Sequence, residues 1–594
     1  MQEVSLGQLS LVPASTPAQT LTEDNDEFWE VPEELLGNDQ MELYHQETAI
    51  KPRESAKYLG IWLDKTLSFK THRAKVLAKA NATLEALKGI SGSTWGANLL
   101  AMRRIYLAVV VPQLLYSVAA WYSPTGGRIK ASENQFILSE FKKIQKRAAI
   151  LISGTFKSTA GTALDLELYI LPIKWHMQQI IEETAIRIRT GPEIGCPRSL
   201  LRPRSGKKLK HSGPTPLEAM QRREGPLTPL VPNEIWETRR AYILAPWETP
   251  LTCSILGQEA AVSYHNKFCR NRRGTAIYTD GSGFLGHIGT SAVCLQTGKV
   301  QRKFLGTEAE STVYAAELRG LQMALVTAAS CQRQVAVFVD SQAAIKAAQN
   351  PGRPSGQFLL RQIYTVARRY NLTRRVGIHW IPAHIGVPGN ERADEAAKEA
   401  ATDPHLRRRD SPVRLAAAAK QTIRLKIHKR WEDEWTRDAK TARPTATPTH
   451  RLFKGPDKKV LQLWKGLSKP HTAITIQMRT HRIGLRHFLY KINAVESDRC
   501  SCEKGSQTSR HILQQCPLYT DLRAAMLDKI NRIRGLRGKT ADYNVPISHP
   551  QAIRYIAEFI HKTGLLSQFR EAKLTTQDTE PINKTNGAEG EDAG

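Results

Sequence analysis

The spacing of apolar and polar residues changes character several times along this 594-residue chain, and each change marks an element. Lys57 to Asp64 (KYLGIWLD) alternates as a strand does. From His72 to Ile90 the apolar positions Val76, Leu77, Leu84 and Leu87 fall at helical spacing, among Arg73, Lys75, Lys79 and Lys88. Further helices are predicted over 97–122 and 134–152, the latter carrying Lys142, Lys143, Lys146 and Arg147. From residue 270 the period shortens. Strands are predicted at 275–280, 288–297 and 300–306, a helix at 309–328, and a strand at 335–339. Helices within 341–371, a strand at 375–381 and a helix at 390–400 complete the stretch. A meander of three strands followed by alternating helix and strand predicts a mixed five-stranded α/β sheet flanked by helices.

Between these periodic stretches the composition shifts. Residues 1–50 are acidic and aperiodic, and read as a disordered arm. Residues 191–269 are rich in Pro, Gly, Lys and Arg, and read as a basic linker in which Lys207, Lys208 and Lys210 either contact phosphate or are simply solvated. Residues 403–495 read as a basic helical connector. Within it, Trp431 and Trp435 stand four apart, a spacing that favours one packed helix face over base stacking. Residues 541–574 read as a helical end and 575–594 as a disordered tail. The apolar run from Ile105 to Tyr122, interrupted by Pro112, Gln113 and Ser117, is predicted to be a buried core helix rather than a membrane span.

A chain of this length implies roughly three or four folded units. Its 85 Lys and Arg against 56 Asp and Glu leave a formal net charge of +29, which favours a polyanionic partner and so nucleic acid. Eight cysteines in this length argue against a disulfide scaffold, and no charged-then-apolar segment opens the sequence, so a secretory signal is not expected.

The chemistry concentrates in four acids: Asp280 in IYTDGSG, Glu317 in VYAAELRGLQMAL, Asp340 in VAVFVDSQAA and Asp394 in GNERADEAAKEA. Asp280 and Asp340 each end an apolar β-branched run, and Glu317 and Asp394 lie in alanine-rich helical stretches. Brought together, such acids repel one another unless a cation holds them, and an all-oxygen set favours Mg²⁺ or Mn²⁺.

With the run Trp380 to His384 ahead of Gly389 to Asp394, residues 270–402 resemble type 1 ribonuclease H. The resemblance implies cleavage of the RNA strand of an RNA–DNA hybrid by two metal ions about 4 Å apart. Asp280 would bridge both ions, Asp394 would serve the nucleophile side, and Glu317 and Asp340 the other. It also implies a proton-shuttling or product-releasing role for His384. Gly281 and Gly283 would let the backbone approach the hybrid. Ser341 and Gln342 are polar contacts to it, or Ser341 caps a helix. Glu391 supports the site or stabilises the first turn of its helix.

Residues 51–190, through KYLGIWLD, the basic helix and RRIYLAVVVPQLLYSVAAW, look like the thumb segment that follows the palm in a reverse transcriptase of non-long-terminal-repeat retrotransposons. No Asp-Asp dipeptide is present, and roughly 50 residues before KYLG leave no room for fingers and palm. Polymerisation by this chain alone is therefore not expected, and a palm-bearing partner chain would have to supply it. In 496–540, Cys500, Cys502, His511 and Cys516 form C-x-C-x8-H-x4-C, a set able to close a tetrahedral Zn²⁺ site. It resembles the cysteine-histidine motif that follows ribonuclease H in such polyproteins. Cys196, Cys253, Cys269, Cys294 and Cys331 form no such group in sequence.

The composite reading is a retrotransposon-derived nuclease, resident in the nucleus. Its alternatives are a non-catalytic nucleic-acid-binding relic and one part of a split reverse transcriptase.

Overall fold

The computed structural model describes residues 53–122, 131–192, 235–240, 242–271, 274–352, 356–441, 447–572 and 574, with three short strands before them. Those strands, Ser10–Leu11, Leu43–His45 and Thr48–Ile50, pair antiparallel and correct the reading of 1–50 as wholly unstructured. Strands of two or three residues are too short to leave a period in sequence. The rest of that arm, Cys196, the Lys207-Lys208-Lys210 cluster and the tail from Thr575 lie outside the described residues.

Two compact units divide the chain at residue 79. In the first, β1 (Ser55–Tyr58) and β2 (Ile61–Asp64) pair antiparallel across Leu59 and Gly60, whose φ values of 45° and 84° make the tight hairpin turn. Asp64 then accepts from the backbone N–H groups of Ser68 and Lys70 ahead of helix α1 (Lys70–Lys88).

The second unit takes in the rest of α1 and then an apolar helical stretch. The helix predicted over 97–122 is broken: Leu99–Ile105 runs into a π-turn at Tyr106–Val110, then Val111–Leu114 and Val118–Trp121. Pro112 explains the π-turn, because its ring excludes the carbonyl one turn back and it has no N–H to donate. Ser117, at φ 50°, makes the second break. Leu99–Trp121 is long and apolar enough to cross a membrane by length and composition alone. Leu99, Met102, Tyr106, Val110, Leu114, Val118 and Trp121 are buried within the protein.

Helices α2 (Ala131–Ser153), α3 (Gly161–Glu167) and α4 (Ile173–Arg189) follow. The α/β sheet comes next, and it has six strands where five are predicted. In chain order they are β3 (Thr252–Ser254), β4 (Gly274–Phe284), β5 (His287–Cys294), β6 (Lys299–Thr307), β7 (Gln334–Val339) and β8 (Val376–Trp380). Across the sheet they run β6-β5-β4-β7-β8-β3, antiparallel among the first three and parallel from β4 onward.

The extra strand corrects the linker reading of 191–269 over its final part. β3 pairs with β8, and helix α5 (Gln258–Arg270) packs Tyr264, His265 and Phe268 against Tyr278 and Phe338. A three-residue edge strand has no sequence period of its own. Helices α6 (Val313–Ala329), α7 (Gln342–Gln349) and α8 (Gln357–Arg369) share the apolar core on one face of the sheet. Helix α9 (Pro388–Thr402) packs on the other through Ala393 and Ala396.

The carboxy-terminal helices do not form serial modules. Helix α10 (Ala416–Ala439) shares a core with Ile186 of α4 through Ala416, Ala419, Ile423 and Ile427. Helix α11 (Lys469–Arg479) reaches back to α2: the Lys469 ammonium donates to the carbonyls of Leu151 and Ile152 at 2.7 and 2.8 Å. The regions separately predicted as thumb-like, connector and zinc motif therefore interlock. Trp431 and Trp435 are buried on α10, as a packed helix face requires.

Candidate active site and metal centre

Register places the central acids. β7 pairs parallel with β4, Val339 beside Thr279, so the next residue of each strand, Asp340 and Asp280, emerges at the same edge of the sheet. Glu317 arrives from the second turn of α6, which crosses β4 closely. A Cβ on Gly281 would fall 2.4 Å from the backbone nitrogen of Glu317, so only glycine permits this crossing. The glycine thus serves helix packing. Thr290 fastens the same junction by donating to the carbonyls of Asp280 and Ala316 at 3.1 and 2.7 Å.

The result is a carboxylate cluster: one oxygen each of Asp280, Glu317 and Asp340 lie within 4.8 Å of one another. Burial first, then repulsion by Asp340 and Asp394, pushes the Asp280 carboxyl up to about 7, with the N–H of Gly281 and the charge of Lys398 opposing. Burial and the charges of Asp340 and Asp280 raise Glu317 well above the carboxylate range. Burial also raises Asp340, against a hydrogen bond from the Asn390 side chain and the nearby charge of His384.

Asp394 stands apart from the trio. Its carboxylate pairs with Lys398 at 2.7 Å, one turn along α9, while its charge still reaches Asp280 and Asp340. His384 lies exposed in the loop before α9 with a left-handed backbone, φ 55°. Ser341 caps α7, its Oγ accepting from the N–H of Ala344. Glu391 sits in the first turn of α9. Sequence reasoning missed Asn390, a buried amide that orients Asp340, and Lys398, which holds Asp394. The i, i+4 spacing of Asp394 and Lys398 was the available signal for that pair.

The second cluster is cysteine-based. Ligand atoms of Cys500, Cys502, His511 and Cys516 lie within 4.8 Å of one another. Cys500 and Cys502 lie on a turn closed by the Arg499–Ser506 bridge. His511 lies on helix α12 (Ser509–Gln514), whose cap Thr508 accepts from the N–H of His511. The Cys500 and Cys516 sulfurs are 3.7 Å apart, and the Cys502 sulfur is 3.2 Å from His511 Nε2. A tetrahedron with metal–sulfur bonds of about 2.3 Å has sulfurs roughly 3.8 Å apart, so the spacing suits zinc. Burial, then the neighbouring thiols, pushes Cys516 up to about 11. Among the described residues no other cysteine joins a metal-binding group.

Residues 272–402 match the family model described as RNase H. Over 191 residues the chain is 25% identical to a retrovirus-related Pol polyprotein from a type-1 retrotransposable element R1 of Nasonia vitripennis, covering 32% of this chain and 43% of that protein. Over 158 residues it is 27% identical to a probable RNA-directed DNA polymerase from transposon BS of Drosophila melanogaster, covering 27% of this chain and 16% of that one. The chain thus spans less than half the length of each of these curated relatives.

Proposed function

We propose that this protein is a metal-dependent endonuclease that cuts the RNA strand of RNA–DNA hybrids, using Mg²⁺ or Mn²⁺ held by Asp280, Glu317, Asp340 and Asp394. The observation that carries the reading is the convergence of three carboxylates, Asp280 and Glu317 buried and Asp340 partly so, at the sheet edge, within the stretch that matches RNase H. The donor set fits hard cations: it is all oxygen, and Glu317 Oε2 is buried with no hydrogen-bond partner. Two such ions supply positive charge for attack on a phosphodiester and for the departing oxygen.

The chain's own groups prepare that site. The N–H of Gly281 steadies Asp280 and Glu317, and Asn390 steadies Asp340. Asp394, which pairs with Lys398 in this structure, would complete the oxygen set that holds the cation. His384, exposed beside Asp340, moves a proton between the reacting phosphate and solvent. The products are a 3′-hydroxyl and a 5′-phosphate. Zn²⁺ at Cys500, Cys502, His511 and Cys516 is structural, and the basic helical regions grip the phosphate backbone irrespective of sequence.

The test incubates the chain with labelled RNA–DNA hybrid, RNA duplex and single-stranded RNA, in Mg²⁺, Mn²⁺ or EDTA, beside Asp280→Asn. The expected result is cleavage of the hybrid alone, abolished by EDTA and by the substitution. A second reading, binding without cleavage, draws on the Lys398–Asp394 ion pair, which occupies one proposed ligand. Tight hybrid binding with no cleavage in either metal would establish it instead.

A further inference from the structure

The two ends of the α/β sheet carry opposite charge. β7 and β8 run parallel, so Val339 leads to the carboxylate edge while Val335 and Val376 begin together at the other. The turns entering those strands meet at this far edge: Ser330 to Arg333 after α6, and Tyr370 to Arg375 after α8. Arg375 joins them by donating to the carbonyl of Cys331. Burial and the Cys294 thiol raise the Cys331 thiol, and the nearby charges of Lys299 and Arg375 oppose them. Lys299, at the start of β6, thus belongs to the same cluster.

Lys299, Arg333, Arg369, Arg374 and Arg375 are all exposed. Between Glu317 and Glu391 the sequence contains one acid, Asp340, against nine Lys and Arg, and Asp340 emerges at the opposite edge. Glu248, ahead of β3, is already paired with Arg368 at 2.6 Å. Among the described residues no acid pairs with Lys299, Arg369, Arg374 or Arg375. The carboxy-terminal ends of α6 and α8 supply about one negative charge between them, which Arg369 alone offsets. Lys299, Arg374 and Arg375 remain over. Like charges so concentrated repel one another and favour a polyanionic partner.

That partner is not the phosphate at the carboxylates. β7 separates the two edges by six residues, about 20 Å, beyond the reach of a side chain. Within the basic cluster Tyr370 is 42% exposed, with the Arg369 guanidinium 5.6 Å from its ring centroid. An exposed ring among cations suits an unpaired base, whose faces a duplex hides. We propose that this edge is a second nucleic-acid site, which binds a single strand through phosphates at Lys299, Arg333, Arg374 and Arg375 and through a base on Tyr370. It goes beyond the cleavage reading and stands whether or not the carboxylates cut.

Fluorescence anisotropy tests it on the full chain carrying Asp280→Asn, without added Mg²⁺ or Mn²⁺, so that binding alone is read. The probes are a labelled 12-nucleotide single-stranded RNA and the DNA strand of the same sequence; the tighter of the two names the source. Lys299→Gln with Arg369→Gln and Arg374→Gln, all exposed, should weaken binding at least about tenfold and flatten the log–log salt slope by about two. Tyr370→Ala should weaken the strand at least about fivefold and leave a blunt duplex of the same length unchanged. A control removes the same charge outside the α/β unit, through Arg437→Gln, Lys458→Gln and Lys465→Gln, and should cost less than about threefold. Equal losses in the two triple variants would reduce the effect to net charge and overturn the proposal. So would a strand affinity that Tyr370→Ala leaves unchanged.

Discussion

Glu167 and Arg479 lie 312 residues apart in sequence and form a fully buried ion pair, the guanidinium Nε within 3.0 Å of both carboxylate oxygens. The same guanidinium donates to the carbonyl of Ile547 and to Ser548 Oγ, and Trp464 donates its indole N–H to the Glu167 carbonyl. Burial raises Glu167, and Arg479 opposes that shift. Removing one partner leaves the other charge stranded, which costs about 3–5 kcal/mol. Arg479→Met should therefore lower the stability of the second unit by that amount in urea unfolding. A loss below about 1 kcal/mol would show that the pair is not what joins α3 to the carboxy-terminal helices.

The proposed cleavage requires the carboxylate trio to trade stability for function. Asp280→Asn removes one of the mutually repelling charges, so in EDTA the variant should melt at a higher temperature than the wild type. Its hybrid cleavage should fall by at least about a hundredfold, the scale for losing one group that stabilises charge in a transition state. Calorimetry in EDTA and a cleavage assay in Mg²⁺ check both halves. A variant both less stable and inactive would point to a structural role for Asp280.

Asp165 predicts a pH dependence. Burial, foremost, and the charge of Glu434 push its carboxyl from 3.8 to about 7, against the Gln145 hydrogen bond and the Lys142 charge. Between those values the folded chain keeps a proton that the unfolded chain has lost. Stability from this group therefore falls as pH rises from about 4 to about 7 and stays low above that. Urea midpoints of wild type and Asp165→Asn should diverge across this window, with the wild type losing ground toward pH 7. Parallel curves would mean that Asp165 titrates normally.

The cysteine cluster predicts one zinc per chain by atomic absorption. Chelation, or Cys516→Ser, should lower the melting temperature by at least about 2 °C, equivalent to roughly 2 kcal/mol in a unit of about 500 residues. A metal-free chain with an unchanged melting curve would reduce the cluster to buried thiols.

The net charge of +29 predicts a steep salt dependence. Hybrid affinity should drop by at least about a hundredfold between 50 and 200 mM salt, as expected when several phosphates are neutralised. A shallow slope in filter binding would argue against an extended basic interface.

Much of the α/β unit was legible in the sequence because its strands and helices are long enough to show their periods. The acids were legible because Asp280 and Asp340 end apolar runs, and a buried strand delivers its next residue to the sheet edge. Thr252–Ser254 was not legible, since three residues at an edge carry no period. The break at 106–117 was only half legible: Pro112 announces trouble, but the left-handed Ser117 does not.

By itself, then, the sequence determined which residues are polar where their neighbours are not, and so named the four acids, the Cys-His set and the basic stretches. Local spacing encodes which face of an element is buried, but not what that face meets. Only the tertiary structure decided that Asp394 pairs with Lys398 while Asp280, Glu317 and Asp340 converge. It alone brought Gln145 onto Asp165 and set Glu167 against Arg479. These partners are set by packing between elements distant in the chain, which leaves no mark on the residues around either one.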